Sequence, residues 1–124
     1  MVVTSTLAML LSLAAPELSS VPMTWLAPAA CPDAASVEAR LADALADAPA
    51  DTRKDITAHA TVTTTDAGGF ALDLRLTGDG MDATRALAST DCRELADATV
   101  LIVALAADPT VLDRGAIPLT PPPL

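Results

Sequence analysis

Few side chains in this 124-residue sequence are suited to chemistry at neutral pH. His59 is the single histidine, and histidine is the side chain whose ordinary pKa lies nearest to pH 7. It stands among threonines in residues 57–65, a setting that favours a solvated strand position over a catalytic one. The sequence has no motif for a nucleophile elbow, a phosphate-binding loop, a dinucleotide site or a zinc protease. We therefore predict no catalytic residue, and these observations favour a protein that is not an enzyme over an enzyme.

Acidic residues are the other candidates for chemistry, and their spacing does not match a metal site. Asp79, Asp82 and Asp91 surround a Gly-Asp-Gly turn, where they could gather a calcium ion. The spacing fits no EF-hand loop, however, and aspartates are common in turns. One histidine and two cysteines cannot supply a four-ligand Cys/His zinc site within one chain. We therefore predict no metal and no cofactor.

The first residues have the composition of an export signal. Residues 1–16 carry no charged side chain, and their apolar run is too short to cross a membrane. Ser12-Leu13-Ala14 would suit a signal peptidase, and Ala27-Pro28-Ala29 is a second candidate. No Lys or Arg precedes the run, which leaves a misassigned start or an apolar tail as alternatives. We predict a signal peptide at residues 1–14 and a periplasmic or extracellular location.

The role of the two cysteines, Cys31 and Cys92, depends on the compartment. In an exported chain they favour pairing with each other, which would stabilise the fold by about 4 kcal/mol in the chain-entropy model. In a cytosolic chain they would be reduced, buried thiols. Lipid attachment at Cys31 is disfavoured, because Pro28-Ala29-Ala30 precedes it and the apolar run lies far upstream. We predict the disulfide Cys31–Cys92.

The net charge limits which classes of partner the chain can bind, and the amino-acid composition limits the size of its core. Sixteen acidic residues against seven basic ones give a net charge of -9, which argues against nucleic acid and anionic membranes as partners. The chain has 27 alanines but one Phe, one Trp and no Tyr. Because alanine buries little area, the core must be thin. Trp25 is therefore interpreted as a core anchor, with a ligand platform as the alternative.

Two segments have the pattern of helices. Asp33 is a candidate N-cap, and apolar residues then recur at helical spacing until Pro49. Asp91 and Glu94 have the spacing of a capping box and open a second helix that reaches about Ala107. This helix is apolar on almost every side and too short to span a membrane, so we predict that it is the central buried helix. We expect no stable transmembrane span in the mature chain.

Four segments alternate like strands. Residues 21–26 contain Pro22, which confines them to a sheet edge or an extended lead-in. Residues 56–65 and 70–77 form a hairpin around a Gly-Gly turn, and residues 81–89 give a third, weaker strand. One set of apolar side chains on this hairpin is expected to face the core. Its members are Ile56, Ala58, Ala60, Val62, Phe70, Leu72, Leu74 and Leu76.

The predicted fold is α+β: a short edge strand, a helix, a three-stranded antiparallel meander and a C-terminal buried helix, with both helices on one sheet face. A lead-in is expected at residues 15–24, the domain at residues 25–109, and a proline-rich linker or disordered tail at residues 110–124. The polar face of the hairpin is the candidate interaction face, although an ordinary solvated face is the alternative. Its members are Thr57, His59, Thr61, Thr63, Asp73 and Arg75.

Several short motifs fall together in order along the chain. Residues 25–32 read Trp-Leu-Ala-Pro-Ala-Ala-Cys-Pro, Arg85-Ala86-Leu87 leads to Cys92, and Asp108-Pro109 follows the second helix. Over residues 25–109 this pattern resembles a family of uncharacterised exported bacterial envelope proteins with a Trp-x-Ala-Pro-x-Cys-Pro start. Here two residues rather than one separate Pro28 from the cysteine. The resemblance implies an envelope location and carries no activity.

These observations favour a non-catalytic binding or interaction module of the cell envelope. Its partner would be an envelope protein or a small ligand. The alternatives are a small envelope hydrolase and a truncated soluble head of an outer-membrane barrel protein. Longer members of the resembling family look as if they continue through a proline-rich linker into a barrel-like segment, which motivates the last alternative.

Overall fold

The computed structural model describes residues 21–48 and 53–113. The predicted signal peptide and most of the predicted lead-in and tail lie outside these ranges. Within them the chain forms four strands and two helices in an α+β arrangement, as expected. In chain order these are β1 (Met23–Leu26), α1 (Ala34–Leu45), β2 (Thr57–Thr64), β3 (Phe70–Gly78), β4 (Met81–Ser89) and α2 (Cys92–Ala107).

The four strands form one mixed sheet in the order β1-β2-β3-β4. The predicted antiparallel meander is confirmed for β2, β3 and β4. β1 lies at the edge, as Pro22 indicated, but pairs parallel with β2, with Met23 opposite Ala58 and Trp25 opposite Ala60. A parallel pair needs a crossover connection, and α1 provides it. The sheet as a whole is therefore not a pure antiparallel meander.

Alternation along the strands separates a covered face from an open one. On β2 and β3 every second residue is buried, and these residues form one core with the apolar sides of both helices. We call the covered side the inner face; its buried strand residues are Trp25, Ala58, Ala60, Val62, Leu72, Leu74 and Leu76. The opposite side is the outer face. Both helices therefore lie on one side of the sheet, as predicted.

Glycine sets the geometry of the β3–β4 connection. Asp79 and Gly80 form a two-residue turn in which both residues have positive φ, the conformation that suits the twist of a tight hairpin. Gly78 just before the turn has φ of 117° and lies so close to the Asp55 carbonyl oxygen that an added Cβ would come within 2.5 Å of it. Glycine is required there by both conformation and space.

The first helix begins at the predicted cap. The carboxylate of Asp33 accepts a hydrogen bond from the Ser36 backbone N–H at 2.8 Å. Hydrogen bonds from the backbone and side chain of Ser36 lower the pKa of Asp33 below its ordinary value of 3.8. The residues of α1 that face the core are Val37, Leu41, Ala44 and Leu45.

The second helix is buried against the sheet, as predicted, and its start differs from a simple capping box. Asp91 accepts from the Arg93 N–H at 2.9 Å, while its own N–H donates to the Ser89 hydroxyl at 3.0 Å. That hydroxyl in turn donates to the Glu94 carboxylate at 2.6 Å. Ser89 thus relays the contact that Glu94 would make directly in a capping box. The outward side of α2, with Leu101 and Ile102, is only half-buried.

The packed core reaches beyond the predicted domain limits of residues 25 and 109. Val21 is 9% exposed, and Pro22 accepts a hydrogen bond from the Ala58 N–H at 3.0 Å. At the other end Val111 is fully buried, and its N–H donates to the Asp108 carbonyl oxygen at 3.1 Å. The folded unit therefore includes residues that the sequence pattern assigned to the lead-in and the tail.

Candidate interaction surface

The six residues predicted to form an interaction face all lie on the outer face. Pairing of β2 with β3 places His59 opposite Arg75 and Thr61 opposite Asp73. Thr57 is half-buried, whereas the other five residues are exposed. The period-two pattern therefore identified one side of the sheet correctly across two strands, because side chains alternate between faces. Whether a partner uses this face stays a prediction.

The cross-strand register extends this surface over the whole sheet. One row across the strands contains Thr24, His59, Arg75 and Thr84, and the next contains Leu26, Thr61, Asp73 and Ala86. At a strand spacing of about 4.8 Å, the four strands present a flat strip roughly 15 Å wide. The additional members that sequence reasoning did not assign to the face are Thr24, Leu26, Ala71, Thr77, Asp82, Thr84, Ala86 and Ala88.

Leu26 is the main apolar feature of the outer face. It is 59% exposed, the highest value for a large apolar side chain among the described residues. Its neighbours across β2 and β3 are the polar residues Thr61 and Asp73. The parity of β1 could have revealed it, because Trp25 faces inward and the next residue must then face outward. A single exposed leucine is common on protein surfaces, so Leu26 alone does not indicate a binding site. Leu26 is a candidate contact because it lies among the polar residues of the outer face.

The charges on this face are exposed and weakly coupled. Arg75 reaches diagonally to Asp82 on β4, with Nε and Nη2 each 3.3 Å from a carboxylate oxygen. More than half of each side chain is exposed, so this ion pair contributes little to stability. Both charges remain available to a partner, and Asp73 lies beside them on β3. The face therefore offers a mixed-charge centre flanked by threonines and alanines.

The structure does not place His59 in a catalytic arrangement. Its cross-strand neighbours are Thr24 and Arg75, so the residue opposite it on β3 is a cation rather than a carboxylate that could orient an imidazole. The side chain is exposed on a flat strand. The part of the chain that the structure describes therefore gives His59 no nucleophile and no orienting acid.

The three aspartates considered for calcium are not brought together. Asp79 lies in the β3–β4 turn and Asp82 beside it, where it pairs with Arg75. Asp91 lies beyond the far end of the nine-residue strand β4 and caps α2. At about 3.3 Å per residue the strand separates these two groups by more than 20 Å. Within residues 21–48 and 53–113 no cluster of three acidic, histidine or cysteine side chains is arranged to hold a metal ion.

Trp25 and the two cysteines form a structural centre rather than a ligand site. Trp25 is 5% exposed, and its indole N–H donates to the Pro32 carbonyl oxygen at 2.8 Å. Cys31 and Cys92 are joined in a disulfide with a Cα–Cα distance of 5.3 Å, and both are buried. The bond connects the segment before α1 to the first turn of α2, as the sequence predicted.

A small cleft of about 390 Å³ lies between the beginnings of the two helices. Arg40 of α1 forms an ion pair across it with Asp97 of α2, and both side chains are substantially exposed. The cleft also contains Arg93 beside two further carboxylates, those of Asp91 and Glu94. The cleft therefore has two arginines and three carboxylates, of which Arg40 and Asp97 are paired across it.

No candidate membrane span occurs among the helices of the described residues. Comparison of the chain with protein-family models, with curated proteins and with solved structures found no match. The resemblance to exported envelope proteins therefore stays an expectation from the sequence motifs.

Proposed function

We propose that this chain is a non-catalytic interaction module of the cell envelope that contacts a partner protein through the outer face of its sheet. The observation that carries the proposal is the composition of that face. It is exposed over most of its area on four strands, with short side chains around Leu26, Arg75 and Asp73. Threonine and alanine lose little side-chain entropy on contact, so ordering such a face costs little.

A protein partner fits this face better than a small ligand does. Small molecules are usually bound in concave sites that cover most of their surface. Neither of the two clefts described here is lined by residues of the outer face. An open sheet face with an exposed ion pair and one exposed leucine can contact another protein surface without a cavity.

The disulfide supports the envelope location. Structural disulfides persist in oxidising compartments, and small exported domains depend on them when their cores are thin. Cleavage after Ala29 would remove β1 and the buried Trp25, so of the two candidate cuts the one after Ala14 fits the folded domain. The proposed mature chain therefore begins upstream of Val21 and is located in the periplasm or outside the cell.

Photocrosslinking in the producing cell tests the outer face. Benzoylphenylalanine placed at Thr61 would lie at the centre of the face, and the same group at Asp43 would lie on the exposed side of α1 as a matched control. We expect a discrete adduct from Thr61 that the control does not give and that Arg75→Glu weakens. Adducts of equal yield from both positions, or none from Thr61, would contradict the proposal.

A further inference from the structure

A groove follows the open edge of β1, away from the outer face. Its volume is about 670 Å³, within the range typical of binding sites. One wall is the strand edge with its lead-in, and the other is the first three turns of α1. The residues that line it are Val21, Pro22, Met23, Ala35, Glu38, Ala39, Leu41 and Ala42.

Backbone hydrogen bonding determines which groups of β1 face this groove. The Ala58 N–H donates to the Pro22 carbonyl oxygen, and the parallel register pairs Met23 with Ala58. In a parallel pair the backbone groups of alternate residues bond to the neighbouring strand. Pro22 and Thr24 therefore face β2, and Met23 directs its N–H and C=O to the open edge. No strand pairs with that edge within the described residues.

The helix wall leaves space for side chains. Ala35, Ala39 and Ala42 lie one turn apart along α1, and their methyl groups form a shallow apolar surface. Glu38 stands among them and is the only charged residue of the lining. An unpaired strand edge beside an apolar helix wall is the arrangement in which an extended peptide adds to a sheet.

The other edge of the sheet lacks this arrangement. β4 is longer, with nine residues, but it is exposed on most of its length, and no helix residue forms a wall beside its open edge in the clefts described. A peptide added there would gain backbone hydrogen bonds without pockets for its side chains. The β1 groove offers both.

We propose that the β1 groove binds an extended, basic peptide segment of another protein as a fifth strand beside β1. Small apolar side chains of the peptide would contact the alanines of α1, and a lysine or arginine would pair with Glu38. Charge favours this occupant over a second copy, because each copy carries a net charge of -9 and would bring a second Glu38 to the groove. The site is separate from the outer face, so each of the two proposals can fail alone.

Amide hydrogen exchange measured by NMR tests this site directly. The probe is the hexapeptide Val-Thr-Lys-Thr-Val-Thr, in which the two valines and the lysine lie on one side of the strand and can face α1 together. It is capped at both ends and added to the oxidised protein. We expect exchange of the Met23 N–H to slow roughly tenfold when the free peptide is at ten times its Kd. The N–H of Gly80, in the exposed β3–β4 turn and outside the groove lining, should be unchanged and is the internal control. Unchanged exchange of Met23 at millimolar peptide would overturn the proposal.

Peptide controls separate backbone pairing from charge. A matched peptide with glutamate in place of lysine should bind at least tenfold more weakly, because it meets Glu38. A peptide that is N-methylated at every residue should not bind, since it lacks the donors that a strand needs in either orientation. If the N-methylated peptide binds as well as the original, peptide addition to the edge is wrong.

Protein variants locate the site on α1. Ala39→Phe should fill the groove and abolish binding, whereas Asp43→Phe on the same helix, outside the lining, should leave it intact. Glu38→Lys should weaken binding of the basic peptide at least tenfold more than Asp43→Lys, which changes the net charge equally. Equal effects of these two charge variants would contradict a specific contact. A dimer of the unliganded protein that Ala39→Phe converts to a monomer would replace the peptide by a second copy and overturn the proposal.

Discussion

Trp25 joins three parts of the molecule through one side chain. Its ring packs into the core from β1, and its indole N–H is bonded to the Pro32 carbonyl oxygen ahead of α1. Cys31, the neighbour of Pro32 in the chain, carries the disulfide to α2. In a core built largely from alanine, valine and leucine, one large ring in this position fixes how the edge strand meets the helices.

Replacing Trp25 by Phe should lower the free energy of unfolding by about 1–3 kcal/mol. The variant loses the hydrogen bond to Pro32 and leaves space that a smaller ring does not fill. Urea unfolding followed by circular dichroism measures the change, since the only tryptophan is removed. Leu26→Ala, next in sequence but exposed, should change stability by less than about 0.5 kcal/mol. Equal effects at the two positions would show that Trp25 is not an anchor.

At the scale of single residues, the sequence predicted burial well where alternation was regular. The inward set of β2 and β3 is buried, with Phe70 half-covered. Leu26 was missed because its strand is short and Pro22 blurs the alternation. Parity with the inward Trp25 indicates that Leu26 faces outward, but its place beside Thr61 and Asp73 depends on the pairing of β1 with β2 across a helical connection. The rows of the outer face likewise required the register of three strand pairs.

At the scale of elements, the two helices begin with different hydrogen-bond networks. α1 has a direct cap, in which Asp33 accepts from Ser36. α2 uses Asp91 together with the relay through Ser89 to Glu94. Both caps place a carboxylate at a helix N-terminus, where it interacts favourably with the helix dipole. Both helix starts therefore depend on an acidic side chain.

The cap of α1 should make stability depend on pH in a defined direction. The pKa of Asp33 is lower in the folded chain than its ordinary value of 3.8. Its contribution is therefore present above pH 3.8 and is lost as the pH falls through the lower, folded-state pKa. Asp33→Asn keeps a capping oxygen but cannot ionise.

We therefore expect the stability advantage of the wild type over Asp33→Asn to be larger at pH 6 than at pH 2.5. Chemical unfolding of both proteins at the two pH values measures it. Glu38→Gln, on an exposed position of the same helix, serves as the control for general charge effects. A difference between wild type and Asp33→Asn that is the same at both pH values would contradict the capping contribution.

The elements themselves were predictable, and their arrangement was predictable only in part. Asp33 marked the start of the first helix and the Asp-Gly turn marked the last hairpin, because caps and turns are local signals. The first helix ends at Leu45, earlier than the pattern that was expected to continue until Pro49. The parallel pairing of β1 was not encoded locally, since it depends on how α1 crosses the sheet. The sequence of α2 is apolar on nearly every side and so could not indicate that Leu101 and Ile102 would be left half-covered.

At the scale of the whole molecule, one covalent bond crosses the fold. The disulfide spans 61 residues and encloses α1, β2, β3 and β4. The bond closes the segment between the two cysteines into one loop. The unfolded chain with this loop has fewer conformations than an open unfolded chain. A thin alanine-rich core gains proportionately more from this restriction than a core of large side chains would.

Replacing both cysteines by alanine should destabilise the domain by about 4 kcal/mol in the chain-entropy model. Urea unfolding of the oxidised wild type and the double variant measures the difference. The oxidised protein should also show no free thiol when titrated in denaturant. A titre of two thiols on folded protein from the oxidising compartment would contradict the bond.

The position of Cys92 also has a consequence for the order of assembly. A chain leaves a ribosome or a translocation channel from its N-terminus, so β1 and Cys31 emerge before β2, β3 and β4. Cys92 emerges only after β4, and no third cysteine competes for Cys31 within the chain. Oxidation therefore has one intramolecular product and needs no isomerase to correct it. By the time the bond can form, β2, β3 and β4 have emerged, and most of α2 is still to follow.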